Sequence, residues 1–479
     1  MTSPFDNTIC APATASGGAV AVIRVSGRNA ITAVDKFFTP LPAKDGTPGK
    51  PLREASGYSL HLGTLREKDG MLLDDVLVSV FRSPHSYTGE NSVEIACHGS
   101  DFIVSRILAL LLSEGVKMAA PGEFTQRAFL HGKMDLSQAE AVADLIAAQT
   151  AAAHRIALKQ LKGGFSDELA VMRDELLHLA SLMELELDFG EEEVEFADRT
   201  ELRLLTEKVL AHIEKLIKSF RLGNAIKSGV PVAIVGNTNS GKSTLLNAFL
   251  GENRAIVSDI AGTTRDTIEE TFNLDGVLFR FIDTAGLRES DDPIERIGME
   301  RAYAKLDSAS LVMAVLDLTA PLPELLASAT DISARVNAEQ QLIFLLNKAD
   351  AVPVSITAEV RRALAPFLNW PGRQHYVISA KERVGLEDLR HALSAAWRDL
   401  DTAAETTLVT NARHLEALQN AALALTRVLT GLDTRACTLP NDLLAQDLRE
   451  SLYHLGSIVG EVSTDEILGN IFRNFCIGK

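Results

Sequence analysis

Gly236-Asn237-Thr238-Asn239-Ser240-Gly241-Lys242-Ser243 has the form G-x-x-x-x-G-K-[ST], a glycine-rich phosphate loop. Residues 231–235 before it, Pro-Val-Ala-Ile-Val, read as a short buried strand, and residues 244–250 after it as the first turns of a helix. In that setting the pattern has a mechanism. The glycines let successive backbone N–H groups curl around phosphate oxygens, and the helix N-terminus adds the positive end of its dipole. Asn239, Ser240, Gly241 and Thr244 complete the cradle, Lys242 reaches the terminal phosphates, and Ser243 can hold Mg²⁺. An ordinary glycine turn is the competing reading, and the flanking strand and helix argue against it.

Further tetrads follow in a telling order. Asp283-Thr284-Ala285-Gly286 ends the strand-like run 278–282, so Asp283 can hold the Mg²⁺ water shell and Gly286 can approach the γ-phosphate. Before it, Gly262-Thr263-Thr264-Arg265-Asp266 offers the Thr264 hydroxyl to the same ion. Asn347-Lys348-Ala349-Asp350 follows the apolar run 342–346 and carries the base specificity. Asp350 can accept from guanine N1–H and the exocyclic amine, a donor pair that adenine lacks. Ser379-Ala380-Lys381, after the run 376–378, closes over the base. All of them in this order, each at a strand end, predict GTP bound outside the carboxyl ends of a mostly parallel sheet.

Hydrolysis needs a separate argument. Leu287 stands where Ras-like enzymes carry the glutamine that orients the attacking water, and losing that function costs several kcal/mol, roughly. Glu295, in the charged segment 288–296, is a candidate replacement. A plain surface carboxylate is the open alternative.

The chain has 479 residues, too many for one ordinary core, so three or so domains are expected. No apolar run could span a bilayer, and the first residues lack a basic region followed by an apolar core. Cys10, Cys97, Cys437 and Cys476 are far apart, without C-x-x-C spacing, which argues against zinc and a disulfide framework. A cytoplasmic protein is the simplest expectation. The net charge of −17 is awkward for a protein gripping nucleic acid alone. Only modest basic runs occur, such as Lys208, Lys215, Lys218 and Arg221, so an RNA substrate would be held largely by a basic partner.

Residues 1–120 alternate strand-like runs (19–25, 76–81, 93–95) with a helix over 101–113, a small α/β domain. Arg24 and Glu94 stand out within its strands, and taken alone such charges face solvent. From Asp135 the pattern is helical. Ser137 with Glu140 reads as a capping box before an alanine-rich run to Leu161. Leu169, Met172, Leu176, Leu179 and Met183 then recur at helical spacing, as do Leu202, Leu205, Val209, Ile213, Leu216 and Phe220. Such stripes read as bundle core, and the acidic run 191–193 between them as a solvated loop. Helical periodicity returns over 411–432 and 442–458. The economical arrangement is a nucleotide domain inserted into a helical domain.

At this point the chain resembles the MnmE (TrmE) family of tRNA modification GTPases. The resemblance rests on Ser86-Tyr87-Thr88-Gly89-Glu90, on Pro121-Gly122-Glu123-Phe124-Thr125-Gln126-Arg127-Ala128-Phe129-Leu130, and on Gly132-Lys133-Met134-Asp135-Leu136. The final Cys476-Ile477-Gly478-Lys479 is its most specific mark. It implies a multidomain α/β plus all-α fold: an N-terminal folate-binding and dimerisation domain (1–120), a helical domain in two parts (121–225 and 401–479), and an inserted Ras-like P-loop G domain (226–400). It implies a potassium ion bound by Asn239, Ser258, Ile260 and Thr263 when two G domains meet, with Asp259, Ala261 and Gly262 in the same nucleotide-contacting stretch. The family's water-orienting glutamate matches Glu295.

Its one-carbon donor is 5-formyl- or 5,10-methylene-tetrahydrofolate, and the folate contacts match Arg24, Glu94, Lys133 and Lys479. The pterin edge presents an N–H beside an amine, as guanine does, so Glu94 could read it as Asp350 reads guanine. Cys476 matches a tail cysteine needed for modification and not for GTP hydrolysis. The resemblance also implies a homodimer, and the flavoprotein partner MnmG (GidA) in a heterotetramer or larger complex. Together such partners attach an aminomethyl or carboxymethylaminomethyl group to the wobble uridine of certain tRNAs. A GTPase switch or ribosome-assembly factor of Era type, without one-carbon chemistry, is the competing class.

Overall fold

The computed structural model describes residues 7–15, 17–42, 49–188, 199–250, 270–282, 306, 309–337, 340–368, 373–396, 407–433, 441–462, 468, 471–472, 475–476 and 478. They fall into two compact units, one of residues 1–146, 160–203 and 427–479, the other of residues 147–159 and 204–426.

The first unit begins with β1 (Ile9–Pro12), β2 (Val20–Ser26), α1 (Ala30–Asp35), β3 (Phe38–Pro40), β4 (Ser59–Arg66), β5 (Leu72–Phe81), β6 (Ser92–His98), α2 (Asp101–Ser113) and β7 (Lys117–Met118). The strands form one sheet in the order β3-β4-β5-β6-β2-β1-β7, antiparallel except for the β1–β7 pair. Alternation builds its core. On β5, Val76, Val78 and Val80 are buried while Asp75 and Leu77 are exposed, as a half-covered strand requires. The buried face packs Ile23, Val25, Val78 and Ile95 against Ile31 and Val34 of α1 and Ile107 and Leu111 of α2. The opposite face is apolar too, with Val20, Leu60, Leu62 and Leu77 exposed.

Helices follow: α3 (Glu123–Leu130), α4 (Leu136–Ala147), α5 (Ala151–Leu161), α6 (Gly164–Asp188) and α7 (Arg199–Ser228), of which α5 and α7 fall mostly within the second unit. The α4 cap differs from the sequence expectation. Asp135 Oδ1 accepts from the Gln138 backbone N–H at 2.8 Å, and Gln138 Oε1 accepts from the Asp135 N–H at 2.9 Å, so the box is Asp135/Gln138. Ser137 and Glu140 lie inside the helix, both buried. The alanine-rich run is also divided, because Thr150 Oγ1 caps a new helix at the Ala153 N–H. The acidic run 191–193 lies outside the described residues.

The second unit carries β8 (Val230–Val235), α8 (Lys242–Leu250), β9 (Glu270–Leu274), β10 (Val277–Phe281), β11 (Leu311–Asp317), α9 (Leu322–Arg335), β12 (Gln341–Asn347), α10 (Val354–Ala363), α11 (Ala365–Leu368), β13 (Arg373–Val377) and α12 (Leu386–Ala396). The sheet order is β13-β12-β11-β8-β10-β9, parallel except for β9. Strands β8 and β11 are almost wholly buried, the mark of a parallel sheet covered on both faces. Phe249, in the last turn of α8, packs against Phe272 of β9 and Phe281 of β10, and Phe272 stacks on Phe279 and Phe281, seating the helix on the sheet. The last helices are α13 (Ala412–Asp433) and α14 (Asn441–Val459), and within the first unit α14 packs along α6. The fold is multidomain α/β plus helical, as the sequence predicts.

Candidate functional site

The phosphate loop links β8 to α8, with Lys242 as the first helical residue and Ser243 beside it. The Lys242 ammonium donates to the carbonyls of Gly236 (2.9 Å) and Asn237 (2.8 Å), so its charge lies across the loop. Asn239 holds φ = +61°, a left-handed conformation that asparagine tolerates better than most residues, and is exposed.

Asn347, the last residue of β12 and buried, ties three motifs together. Its Nδ2 donates to the Ser240 carbonyl at 2.8 Å and its Oδ1 accepts from the Ala380 N–H at 2.9 Å. This contact requires glycine at 241: a Cβ there would lie 2.2 Å from Asn347 Nδ2, at φ = +97°. The Asp350 carboxyl is lowered below its ordinary value, chiefly by the Ser379 hydrogen bond, with Lys381 and Lys348 adding favourable charge. It is therefore ionised and pre-aimed, the state that accepts from a guanine edge. Lys348, at φ = +63°, donates Nζ to Asp317 Oδ2 at 2.7 Å. Asp317 ends β11, directly beside Asn347 in the parallel register. Sequence reasoning passed over Asp317, although a carboxylate closing an apolar strand was the available signal.

The structure thus brings together Asn239, Ser240, Gly241, Lys242, Ser243, Thr244, Asn347, Lys348, Asp350, Ser379, Ala380 and Lys381 at one end of the sheet. Ser258, Asp259, Ile260, Ala261, Gly262, Thr263, Thr264, Asp283, Thr284, Ala285, Gly286 and Glu295 lie outside the described residues.

A second cluster occupies the first unit. Arg24 on β2 and Glu94 on β6 are cross-strand partners, and Arg24 Nε donates to Glu94 Oε1 at 2.9 Å. They face each other, not solvent as each would alone, with side-chain exposures of 17% and 30%. The Arg24 guanidinium lies 5.2 Å from the Tyr87 ring centroid and 5.6 Å from that of Phe124. Tyr87 is anchored by a 2.9 Å hydrogen bond to Thr125 Oγ1.

Behind this surface Arg127 is fully buried, reaching Glu90 at 3.1 Å, Glu123 at 2.8 Å and the Asn7 carbonyl at 2.8 Å. Ser26 Oγ donates to Glu90 Oε2 at 2.8 Å. One arginine therefore staples two of the sequence's distinctive segments, 86–90 and 121–130, and so places Tyr87 and Phe124. The chain terminus joins them: Arg24 Nη1 donates to the Gly478 carbonyl at 3.4 Å, and the Gly122 N–H to the Cys476 carbonyl at 3.4 Å. Gly478 sits at φ = +96°, and a Cβ there would meet the Pro12 carbonyl at 2.0 Å. Cys476 is exposed, whereas burial pushes the Cys10 and Cys97 thiols up to about 11. Lys133 is exposed beside Gly89, and Lys479 lies outside the described residues.

No described helix is long and apolar enough to cross a membrane, and the described residues hold no cluster of three metal-ligating His, Cys, Asp or Glu side chains.

A parallel sheet presenting a phosphate loop, Asn-Lys-x-Asp and Ser-Ala-Lys at its carboxyl ends defines a P-loop GTPase. Family models described as the MnmE helical domain and the GTP-binding protein TrmE N-terminus match residues 136–476 and 8–133. The tRNA modification GTPases MnmE of Parabacteroides distasonis and Bacteroides fragilis are each 50% identical to it, the first over 99% of this chain and 100% of its own, the second over 99% of both. The chain belongs to the MnmE family and is a GTP hydrolase acting in tRNA modification. The MnmE of Cytophaga hutchinsonii is 47% identical over 99% of this chain and 98% of its own. Among solved structures, the FeoB G-domain from Methanococcus jannaschii covers 36% of this chain and 98% of its own, at 25% identity and a TM-score of 0.24.

Proposed function

We propose that this GTPase, with the flavoprotein MnmG, adds an aminomethyl or carboxymethylaminomethyl group to C5 of the wobble uridine of certain tRNAs, using a 5-formyl- or 5,10-methylene-tetrahydrofolate carbon donor. The observation that carries this is the convergence of Arg24, Glu94, Tyr87, Phe124 and the Gly478 tail on one patch of the N-terminal sheet. Glu94 gives Oε1 to Arg24, and a carboxylate so oriented suits the paired donors of a pterin edge. Lys133 and Lys479 would receive the anionic folate tail. The same tail carries Cys476, whose exposed thiol is within the chain's reach of that patch.

The exposed leucines of β4 and β5, on the face that holds Arg24 and Glu94, support a homodimer through this sheet. The net charge of −17 favours MnmG as the main holder of tRNA. We assign residues 1–120, 121–225, 226–400 and 401–479 to the folate, first helical, G and second helical segments, in a cytoplasmic protein.

For hydrolysis, Ser243 and Thr264 would hold Mg²⁺, while Asn239, Ser258, Ile260 and Thr263 would hold K⁺ when two G domains meet. The described part of that donor set fits, with the Ser243 hydroxyl at the start of α8 and the Asn239 side chain exposed on the loop. Bound there, the monovalent cation supplies the positive charge that an arginine finger gives other GTPases. Glu295 would orient the water.

The test is GTP turnover by the full chain in potassium against sodium at equal ionic strength, with Lys242→Ala and Asn239→Ala alongside. Potassium-specific stimulation that Asn239→Ala removes supports the mechanism. Equal rates in both salts exclude it. Binding of 5-formyltetrahydrofolate, measured calorimetrically and lost in Glu94→Gln, tests the N-terminal site independently.

A further inference from the structure

We infer that Asp317 is a positioning residue for the guanine nucleotide: it fixes Lys348 in the free protein, so that the lysine side chain is ordered before the nucleotide arrives. This rests on the assignment of Asn347, Lys348 and Asp350 to the base site.

Asn347 and Asp350 are each tied to a second motif. Asn347 is bound to the phosphate loop and to Ala380, and Asp350 to Ser379. Lys348 is tied instead to the end of the neighbouring strand, through Nζ to Asp317 Oδ2 at 2.7 Å. The geometry has a backbone cause. Asp317 and Asn347 are the last paired residues of neighbouring parallel strands, and the left-handed turn at Lys348 directs its side chain back across the β11 end. Asp317 is itself rigid: its Oδ1 accepts from the Thr319 N–H at 2.9 Å and from Thr319 Oγ1 at 2.7 Å, leaving Oδ2 for the lysine. Burial pushes the Asp317 carboxyl up, and the Lys348 and Thr319 bonds outweigh it, holding the group below its ordinary value and ionised at neutral pH.

A lysine has four rotatable bonds, and freezing them during binding costs affinity. Here the pair freezes them beforehand, with side-chain exposures of 34% for Lys348 and 18% for Asp317. The ammonium is also neutralised by Asp317, so Lys348 adds a rigid aliphatic stem to the site and less unscreened charge beside Asp350.

Asp317→Asn is the discriminating variant, because an amide oxygen still accepts from Thr319 while the negative charge that holds the Lys348 ammonium is lost. In stopped-flow measurements on the full chain with N-methylanthraniloyl GDP and GTP, it should release both nucleotides roughly three to ten times faster. Steady-state GTP hydrolysis should show KM raised by about the same factor with kcat unchanged. Lys348→Met should weaken binding, and adding Asp317→Asn to it should weaken it no further. Wild-type release in Asp317→Asn with weakened binding in Lys348→Met overturns the positioning role and leaves the base site standing. Additive losses also overturn it, by showing that Asp317 acts through the turn at Thr319. Wild-type affinity in Lys348→Met removes the base-site assignment beneath it. Calorimetric melting without nucleotide confirms that each variant folds.

Discussion

Arg24 and Gly478 stand 454 positions apart in the chain and are joined by a 3.4 Å hydrogen bond from a guanidinium to a backbone carbonyl. The second strand of the N-terminal sheet therefore holds Gly478 against the surface where Glu94, Tyr87 and Phe124 meet. The contact depends on glycine at 478, since a Cβ would collide with the Pro12 carbonyl.

Gly478→Ala should consequently release the tail while leaving the rest of the chain folded. Amide exchange in peptides covering residues 470–479 should become faster, the proposed MnmG-dependent tRNA modification should fall at least about tenfold through loss of positioning, and GTP turnover should be unchanged. Retained tail protection in the variant would rule out this docking.

Asn347→Ala should uncouple the phosphate loop from Ala380. It strands the Ser240 carbonyl and the Ala380 N–H, at about 1–3 kcal/mol for each unsatisfied buried group. GDP affinity measured by fluorescence titration should fall roughly ten- to hundredfold or more.

Arg127→Met tests the staple behind the N-terminal surface. Without the guanidinium, Glu90 and Glu123 keep carboxylates in a half-buried setting with no counter-charge from residue 127, and breaking such a pair costs up to about 3–5 kcal/mol. Calorimetry should show earlier melting, and the proposed folate binding should weaken because Tyr87 and Phe124 lose their relative placement.

The part of Asp350 in guanine recognition should persist to lower pH than that of an ordinary carboxylate. Asp350 is depressed in the folded protein, so its contribution is fully present above the ordinary carboxylate value and is lost only as pH falls through the lowered one. GDP affinity should stay flat from pH 8 to about 5, whereas Ser379→Ala should move the acid limb upward toward the ordinary value of about 4. A coincident limb in both proteins would show that Ser379 does not set the ionisation.

The described part of the nucleotide site was legible because its chemistry is local. A phosphate loop, an Asn-Lys-x-Asp and a Ser-Ala-Lys are each contiguous, and an apolar run before each one marks a strand end, so residue type and order suffice to place them. The α4 cap was misread for a related reason. Asp135/Gln138 and Ser137/Glu140 satisfy the same spacing rule two residues apart, and only the position of the first turn separates them. Arg24 and Glu94 are each an isolated charge in an apolar run, and nothing local says that strands β2 and β6 lie side by side in a register that pairs them.

Taken by itself, the sequence determined that this chain binds GTP on a parallel sheet, and its motifs carried the family resemblance, because both reside in short stretches whose function needs particular residue types at fixed spacing. Only the tertiary structure decided what surrounds them: Asp317 against Lys348, Arg127 between Glu90 and Glu123, and Gly478 on Arg24. Those are contacts between residues distant in the chain, set by strand register and backbone close approach, and such contacts leave no periodicity in the sequence to read.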